Sequence, residues 1–310
     1  MDASTARIGF IGFGNMAQAM AKGLVEHAGF DGGRITACAA HFDKLEASCK
    51  PLGANAVHTP AEVAEASDLI IVAVKPYMVA DVLAPAREAL AGKAVVSVAA
   101  GLLFDFYEDL LGAGSHHLST IPNTPIAVGC GVIACEQKHS LGADEWETFT
   151  GLFGGIALIE PVAGHLLSTA SAVAGCGPAF AAMFLESLAD GGVKNGLPRA
   201  TAYRLAAQMM AGTAQLHLAT GTHPGAMKDA VCSPGGTTIK GVAALEAAGL
   251  RNALISAIDA TLRSRKGSPS NRNSHTQNAL LPNPRETGRF VYLQKHFKRT
   301  VMHQASAFSV

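Results

Sequence analysis

The stretch Ile8-Gly9-Phe10-Ile11-Gly12-Phe13-Gly14-Asn15-Met16-Ala17 decides the fold. An apolar run of strand length is followed by a glycine-punctuated turn and then by a helical pattern reaching to about residue 26. In Gly12-x-Gly14-x-x-Ala17, the first glycine permits a tight turn and the second lets the backbone approach a pyrophosphate. Ala17 keeps the helix close to the strand. The N–H groups opening that helix then suit phosphate oxygens. The spacing therefore predicts a dinucleotide site at Gly12, Phe13, Gly14, Asn15 and Met16; a plain structural turn is the alternative reading.

Outward from this unit, strand candidates recur at 34–38, 54–57, 68–74, 94–98 and 156–159, separated by helical patterns such as 42–52. Alternating strands and helices predict a parallel, doubly wound α/β sheet, a Rossmann-like domain over 1–162. Pro122, Pro125 and nearby glycines read as loops. After residue 162 the texture becomes Ala/Leu-rich, with helices expected at 164–173, 178–190, 198–220, 237–247 and 250–263. This predicts an all-helical second domain over 163–266. No Asp, Glu, Lys or Arg occurs from 205 to 227, so the face that should be wet is missing, and burial in a homodimer or higher homo-oligomer is the expected reason. The charge-free run 161–185 is rich in Ala, Gly and Ser and broken around Gly175-Cys176-Gly177-Pro178. It reads as buried segments rather than a bilayer span, and no membrane partner is expected.

The 310 residues are 49% hydrophobic and only 15% charged, which excludes a chain disordered throughout. The 24 basic and 24 acidic side chains cancel, but unevenly: 263–310 carries nine Lys/Arg against Glu286 alone, leaving 1–262 acidic. An acidic body argues against nucleic acid as a partner. The polar basic tail, 267–310, is expected to be disordered, with a short strand or helix suggested at 290–293; an extension, a partner-binding arm and an aberrant reading frame all fit its composition. Six scattered cysteines form no C-x-x-C pair, and no His cluster has ligand spacing, so no metal is expected. His116-His117 are adjacent and point apart on a strand. Reduced thiols and an N-terminus without a basic-then-apolar leader predict a cytoplasmic protein.

The second strand bears on cofactor choice. An NAD site places Asp or Glu at its carboxyl end; here the run is Cys38-Ala39-Ala40-His41-Phe42-Asp43-Lys44, and Asp43 falls in the next helix. Nothing repels a 2′-phosphate, so NADPH is the expected cofactor, with NADH possible and Ala39 beside the ribose. His41 and Lys44 are available to contact the phosphate; a solvated helix start explains each equally well.

A second unusual segment, Ser233-Pro234-Gly235-Gly236-Thr237-Thr238, joins two helical patterns. Its glycines expose backbone N–H groups and its threonines add hydroxyls at a helix start, which makes a small anion cradle; a glycine turn with a Thr cap is the bland alternative. With Ala73-Val74-Lys75-Pro76, Pro122-Asn123-Thr124-Pro125, Gly175-Cys176-Gly177-Pro178-Ala179-Phe180, Ala189-Asp190-Gly191-Gly192-Val193, Gly196-Leu197-Pro198-Arg199 and His223-Pro224, it follows a recognisable order over about 6–266. On these motifs the chain resembles the pyrroline-5-carboxylate reductase family.

The resemblance implies NAD(P)H-dependent reduction of 1-pyrroline-5-carboxylate to L-proline, the last step of proline biosynthesis, by a Rossmann domain and a helical domain that interleaves with a second subunit. It implies that Ser233, Gly235, Gly236, Thr237 and Thr238 hold the substrate, with Thr238 placed to hydrogen-bond the ring nitrogen as the catalytic group. Val74, Lys75, Pro76 and Asn123 would line the nicotinamide end. Three stretches depart from the pattern: Ser119 stands where an Arg is common, Ala174-Gly175-Cys176 replaces a Ser-Gly-Ser, and Cys232 replaces Thr. A related imine or 3-hydroxy-acid dehydrogenase, with Lys194 or Lys228 as base, and a nucleotide-binding homologue without turnover are the alternatives.

Overall fold

The computed structural model describes residues 3–266. The polar tail and the element suggested at 290–293 lie outside the described residues. Eight strands form one sheet in the order β3-β2-β1-β4-β5-β6-β7-β8: β1 (Ile8–Ile11), β2 (Ile35–Cys38), β3 (Asn55–Val57), β4 (Leu69–Val72), β5 (Ala94–Ser97), β6 (His116–Pro122), β7 (Gly131–Glu136) and β8 (Ala157–Val162). Every pairing is parallel except β6 with β7. The central strands β1, β2, β4 and β5 are buried at all four positions, as a parallel sheet covered on both faces requires.

Helices α1 (Asn15–His27), α2 (Phe42–Cys49), α3 (Pro60–Ala66), α4 (Val79–Leu83), α5 (Arg87–Leu90), α6 (Phe104–Leu111) and α7 (Ala143–Phe153) accompany the sheet. Ile8 and Phe10 of β1 pack with Met20 and Leu24 of α1, Leu45 of α2 and Phe149 of α7. Ile11 points the other way, into a cluster with Val63 of α3, Val79 and Leu83 of α4 and Tyr107 of α6. The strand order reverses between β1 and β4, so a crevice opens above their carboxyl ends, where open α/β sheets hold ligands.

Two strands were not expected. The stretch read as loop around Pro122 ends β6 and is followed by β7. Pro122 occupies the last position of β6, and the adjacent Asn123 continues the pairing by donating its N–H to Val132 O at 3.1 Å. The helix expected at 164–173 is also corrected: it is a short 3-10 turn, then α8 (Leu167–Ala170), then a π-turn over Ser171–Gly175. Pro198 stands one residue before its helix rather than inside it.

The later helices are α9 (Gly177–Lys194), α10 (Arg199–Thr220), α11 (Pro224–Ala230), α12 (Thr237–Ala247) and α13 (Leu250–Lys266). In α9 only Ala189 is buried, in α10 only Ala202 and Ala206, and in α12 none. Met183, Leu188, Leu205, Met209, Leu216 and Leu218 are exposed in the single chain. By length and composition alone, Gly164–Lys194 would suffice to cross a bilayer. A soluble helix that exposes this much apolar surface needs something to cover it.

Candidate active site

The turn after β1 behaves as its glycines require. Gly12 has φ +88°, and a Cβ there would sit 2.7 Å from Val74 Cγ1 and 2.9 Å from the Ala73 carbonyl carbon, so neither the conformation nor the space admits a side chain. Its N–H donates to Cys38 O at 2.9 Å, and Ala73 N–H to Ile11 O at 2.8 Å, which fastens the turn to both neighbouring strand ends. Gly14 differs. Its φ is −81°, it is the N-cap of α1, and an added Cβ would meet nothing within 4 Å. Nothing in the protein demands a glycine there; a molecule lying against the turn would.

No side chain caps α1 and its first turn holds no acid. The first helical bond runs from Gln18 N–H to Gly14 O, so the N–H groups of Asn15, Met16 and Ala17 face outward for an anion. Gln18 braces the turn from inside, donating Nε2–H to Phe13 O at 2.8 Å. Phe13 itself is buried edge-on against Phe10, with ring centroids 5.6 Å apart, so the turn offers a ligand its backbone and not its ring. Asn15 is exposed and Met16 half-buried. Ala39 is half-buried just past β2.

Across the crevice, Val74 packs against Gly12, Pro76 is half-buried, and Lys75 is exposed at the start of a short 3-10 turn. Asn123 is buried, and both ends of its amide are engaged: Nδ2 donates to Ala174 O at 3.0 Å and Oδ1 accepts from Val132 N–H at 2.8 Å. Beneath them the end of β5 is held by a network that sequence reasoning missed. Ser97 Oγ shares a hydrogen bond with Tyr107 Oη and accepts from Ala99 N–H, while Thr120 Oγ1 donates to Ser97 O at 2.9 Å. Burial pushes the Tyr107 phenol up to about 12, so it remains a neutral hydrogen-bonding group. Isolated Ser, Thr and Tyr residues in apolar runs give no signal that would have joined them.

The second loop lies between α11 and α12. Gly235 has φ +70°, Gly236 caps α12 without a side chain, and Gly236 N–H donates to Ser233 O at 3.0 Å. Ser233, Thr237 and Thr238 are exposed, and the first turn of α12 contains no acid. This is a second open helix N-terminus, flanked by three hydroxyls. Among the described residues, no hydrogen bond joins 233–238 to the turn at 12–16 or to Lys75, Pro76 or Asn123. One chain thus presents two half-sites.

Other flagged residues take structural places. His116 Nδ1 bonds Glu145 Oε1 at 2.7 Å, and His117, fully buried, donates Nε2–H to Glu108 Oε2 at 3.0 Å. Among the described residues no group of His, Cys, Asp and Glu is arranged to hold a metal. His223 caps α11, accepting from Gly225 N–H, and Phe149 is buried with Trp146 packed beside it. Cys176 and Cys232 are half-buried. Ser119 is buried beside Glu136, whose carboxyl is raised by burial and accepts Phe104 N–H at 2.8 Å.

Both segments of the chain match known proteins. Residues 165–267 match the family described as pyrroline-5-carboxylate reductase dimerisation, a stretch that includes every helix from α8 onward. Residues 7–101 match the family described as NADP oxidoreductase, coenzyme F420-dependent. The chain is 44% identical over 261 residues to pyrroline-5-carboxylate reductase of Treponema pallidum, covering 83% of this chain and 99% of the relative. It is 38% identical over 253 residues to that of Escherichia coli, covering 81% and 94%. The crystal structure of Plasmodium falciparum pyrroline carboxylate reductase with NADP bound superposes with a TM-score of 0.75 at 27% identity, covering 84% of this chain and 97% of that one.

Proposed function

The chain belongs to the pyrroline-5-carboxylate reductase family, and on that premise we infer that it reduces 1-pyrroline-5-carboxylate to L-proline with NADPH. The observation that carries the reading is the pair of open, acid-free helix N-termini, one at Gly14 on the sheet and one at Gly236 on the helical segment. Two such termini suit two separate anions, a pyrophosphate and a substrate carboxylate.

When bound, the nicotinamide cofactor supplies the hydride that reduces the imine carbon. The chain's own work is binding and orientation. The turn at 12–16 holds the pyrophosphate through backbone N–H groups. Ala39 lies by the ribose, while Val74, Lys75 and Pro76 flank the nicotinamide end. Asn123 acts there through its position and backbone, since its amide is engaged with Ala174 and Val132. Ser233, Gly235, Gly236 and Thr237 hold the substrate carboxylate, and the Thr238 hydroxyl hydrogen-bonds the ring nitrogen and steadies its proton. A protonated imine is already electrophilic, so holding donor and acceptor at near-attack distance supplies most of the acceleration.

The two half-sites are brought together by dimerisation through the exposed faces of α9 and α10, which lie within the matched dimerisation segment. We place the sheet domain at 1–162 and the helical domain at 163–266, and the enzyme in the cytoplasm, as bacterial relatives acting in amino-acid biosynthesis suggest. The hydroxy-acid dehydrogenase alternative needs a Lys base. Lys228 is paired with Asp229 at 2.6 Å and its pKa is raised by that bond, the wrong direction for a base at neutral pH.

The test is loss of reduced-nicotinamide absorbance with DL-pyrroline-5-carboxylate, run with NADPH and NADH in parallel. Rapid oxidation with proline as product supports the reading. Absence of oxidation by dimeric protein that still binds NADPH would overturn it.

A further inference from the structure

Beyond the carboxyl end of β2, a dinucleotide places its adenosine ribose, and the groups there select between a 2′-hydroxyl and a 2′-phosphate. In this chain β2 ends at Cys38, in register with Val57 at the end of β3. Two short connections leave these ends side by side: Ala39-Ala40-His41 into α2, and His58-Thr59 into α3. The Phe42 and His58 rings stack with centroids 4.0 Å apart and planes 16° from parallel, which holds the His58 imidazole against the start of α2. His41 is the N-cap of α2, exposed, and its side chain makes no capping bond. Lys44 is exposed one turn further on. The start of α2 thus carries His41 and Lys44, with His58 held against it by the Phe42 ring, at a helix N-terminus that itself favours an anion.

We propose that His41 and His58 make this chain's preference for the 2′-phosphorylated cofactor depend on pH, strong in mild acid and weaker in mild base. The proposal rests on the NADPH reading above and not on the identity of the imine. An imidazole is the side chain that changes charge between about pH 5 and 8. As imidazolium, each ring adds a charge-assisted hydrogen bond to the phosphate beside that of Lys44. In base only Lys44 and the helix terminus remain.

The other charged groups facing this spot hold their charge over the same range. Glu62 accepts His58 N–H and Thr59 N–H at 2.7 and 3.1 Å, and those bonds lower its pKa. It belongs to α3, and its charge acts on both His58 and the Cys38 thiol, a constant repulsion toward a phosphate that the imidazoliums offset in mild acid. Asp43 adds a carboxylate in the first turn of α2. The Cys38 thiol is pushed up to about 11 by burial and stays neutral.

The test is calorimetric binding of adenosine 2′,5′-bisphosphate and of adenosine 5′-monophosphate to the full chain, from about pH 6 to about pH 8.5. The ratio of the two affinities is expected to fall roughly tenfold across that range. A phosphomonoester gains negative charge above about pH 6, which alone would raise the ratio, so the ligand cannot cause a fall. The double variant His41→Gln/His58→Gln should abolish the fall. Lys44→Gln should weaken the bisphosphate at every pH and leave the fall in place. All three residues are exposed, and unchanged thermal unfolding verifies that the variants fold. A ratio that is flat or rises with pH in the unaltered chain, or a fall that survives in the double histidine variant, overturns the proposal. No imine is present in these titrations, so failure of the proline reading would show separately, as absent turnover.

Discussion

Asn123 and Ala174 are joined across the molecule by one hydrogen bond of 3.0 Å, from the buried amide of the first to the carbonyl of the second. Ala174 belongs to the π-turn Ser171–Gly175, which leads through Cys176 into α9. Single π-turns often mark functional sites because they release backbone groups from the regular ladder. The amide's other end accepts Val132 N–H, so one side chain fixes the end of β6, the start of β7 and the entry to the dimer helices.

Replacing Asn123 by Asp keeps the shape but turns a donor toward Ala174 into an acceptor. The expected cost is about 1–3 kcal/mol of stability, the scale of a buried polar group left unpaired. A shifted urea midpoint with unchanged slope would report it. An unchanged midpoint would show that the bond contributes nothing.

Gly12 and Gly14 should separate stability from binding. Gly12→Ala forces a side chain into positive φ and against Val74, and should destabilise the fold by about 1–3 kcal/mol. Gly14→Ala meets open space at φ −81°, so its melting temperature should match that of the unaltered protein while NADPH affinity falls. Equal losses of stability in both variants would contradict this division.

Thr238→Ala should lower kcat/KM by roughly 1–3 kcal/mol in transition-state terms, and Thr238→Ser should restore most of it. The exposed hydroxyl has no bond among the described residues to lose, so the folded stability should stay unchanged. Full activity in Thr238→Ala would remove the hydroxyl from the mechanism.

Asp68 immediately precedes β4 and is gripped by Arg7 through side chain and backbone, at 2.8 to 3.1 Å. The Arg7 hydrogen bond is the main reason that its carboxyl lies below the usual range. Stability from this pair is present above the ordinary carboxylate range and is lost as pH falls through the lowered folded value. The pair is partly exposed, so its worth is below about 1 kcal/mol. Asp68→Asn should therefore lower stability by up to about 1 kcal/mol above the carboxylate range, with no change of slope above pH 7, and flatten the acid limb of a stability–pH curve.

The sheet was legible where its strands are continuously apolar, as in Leu69–Val72, and where glycine turns follow them. β6 was not, because His117 and Thr120 are polar residues made buriable by partners in other elements, Glu108 of α6 and Ser97 of β5. The π-turn was equally invisible, since a run of Ala, Ser and Val reads as ordinary helix. In the site, both helix termini could be read from glycine spacing. What the sequence could not convey is that the Phe13 ring points inward and that both ends of the Asn123 amide are already engaged. Those are facts of packing, set by which neighbours the fold supplies.

The uncovered leucines and methionines of α9 and α10 tie the persistence of the fold to how much of the protein is present. If association buries those faces, the native state is a product of a second-order equilibrium, and its melting temperature rises with protein concentration by mass action. Dilution would then act as a denaturant. Activity assays at nanomolar enzyme should show a lag or a loss that added protein reverses, a behaviour that belongs to the helix surfaces and not to the chemistry they frame.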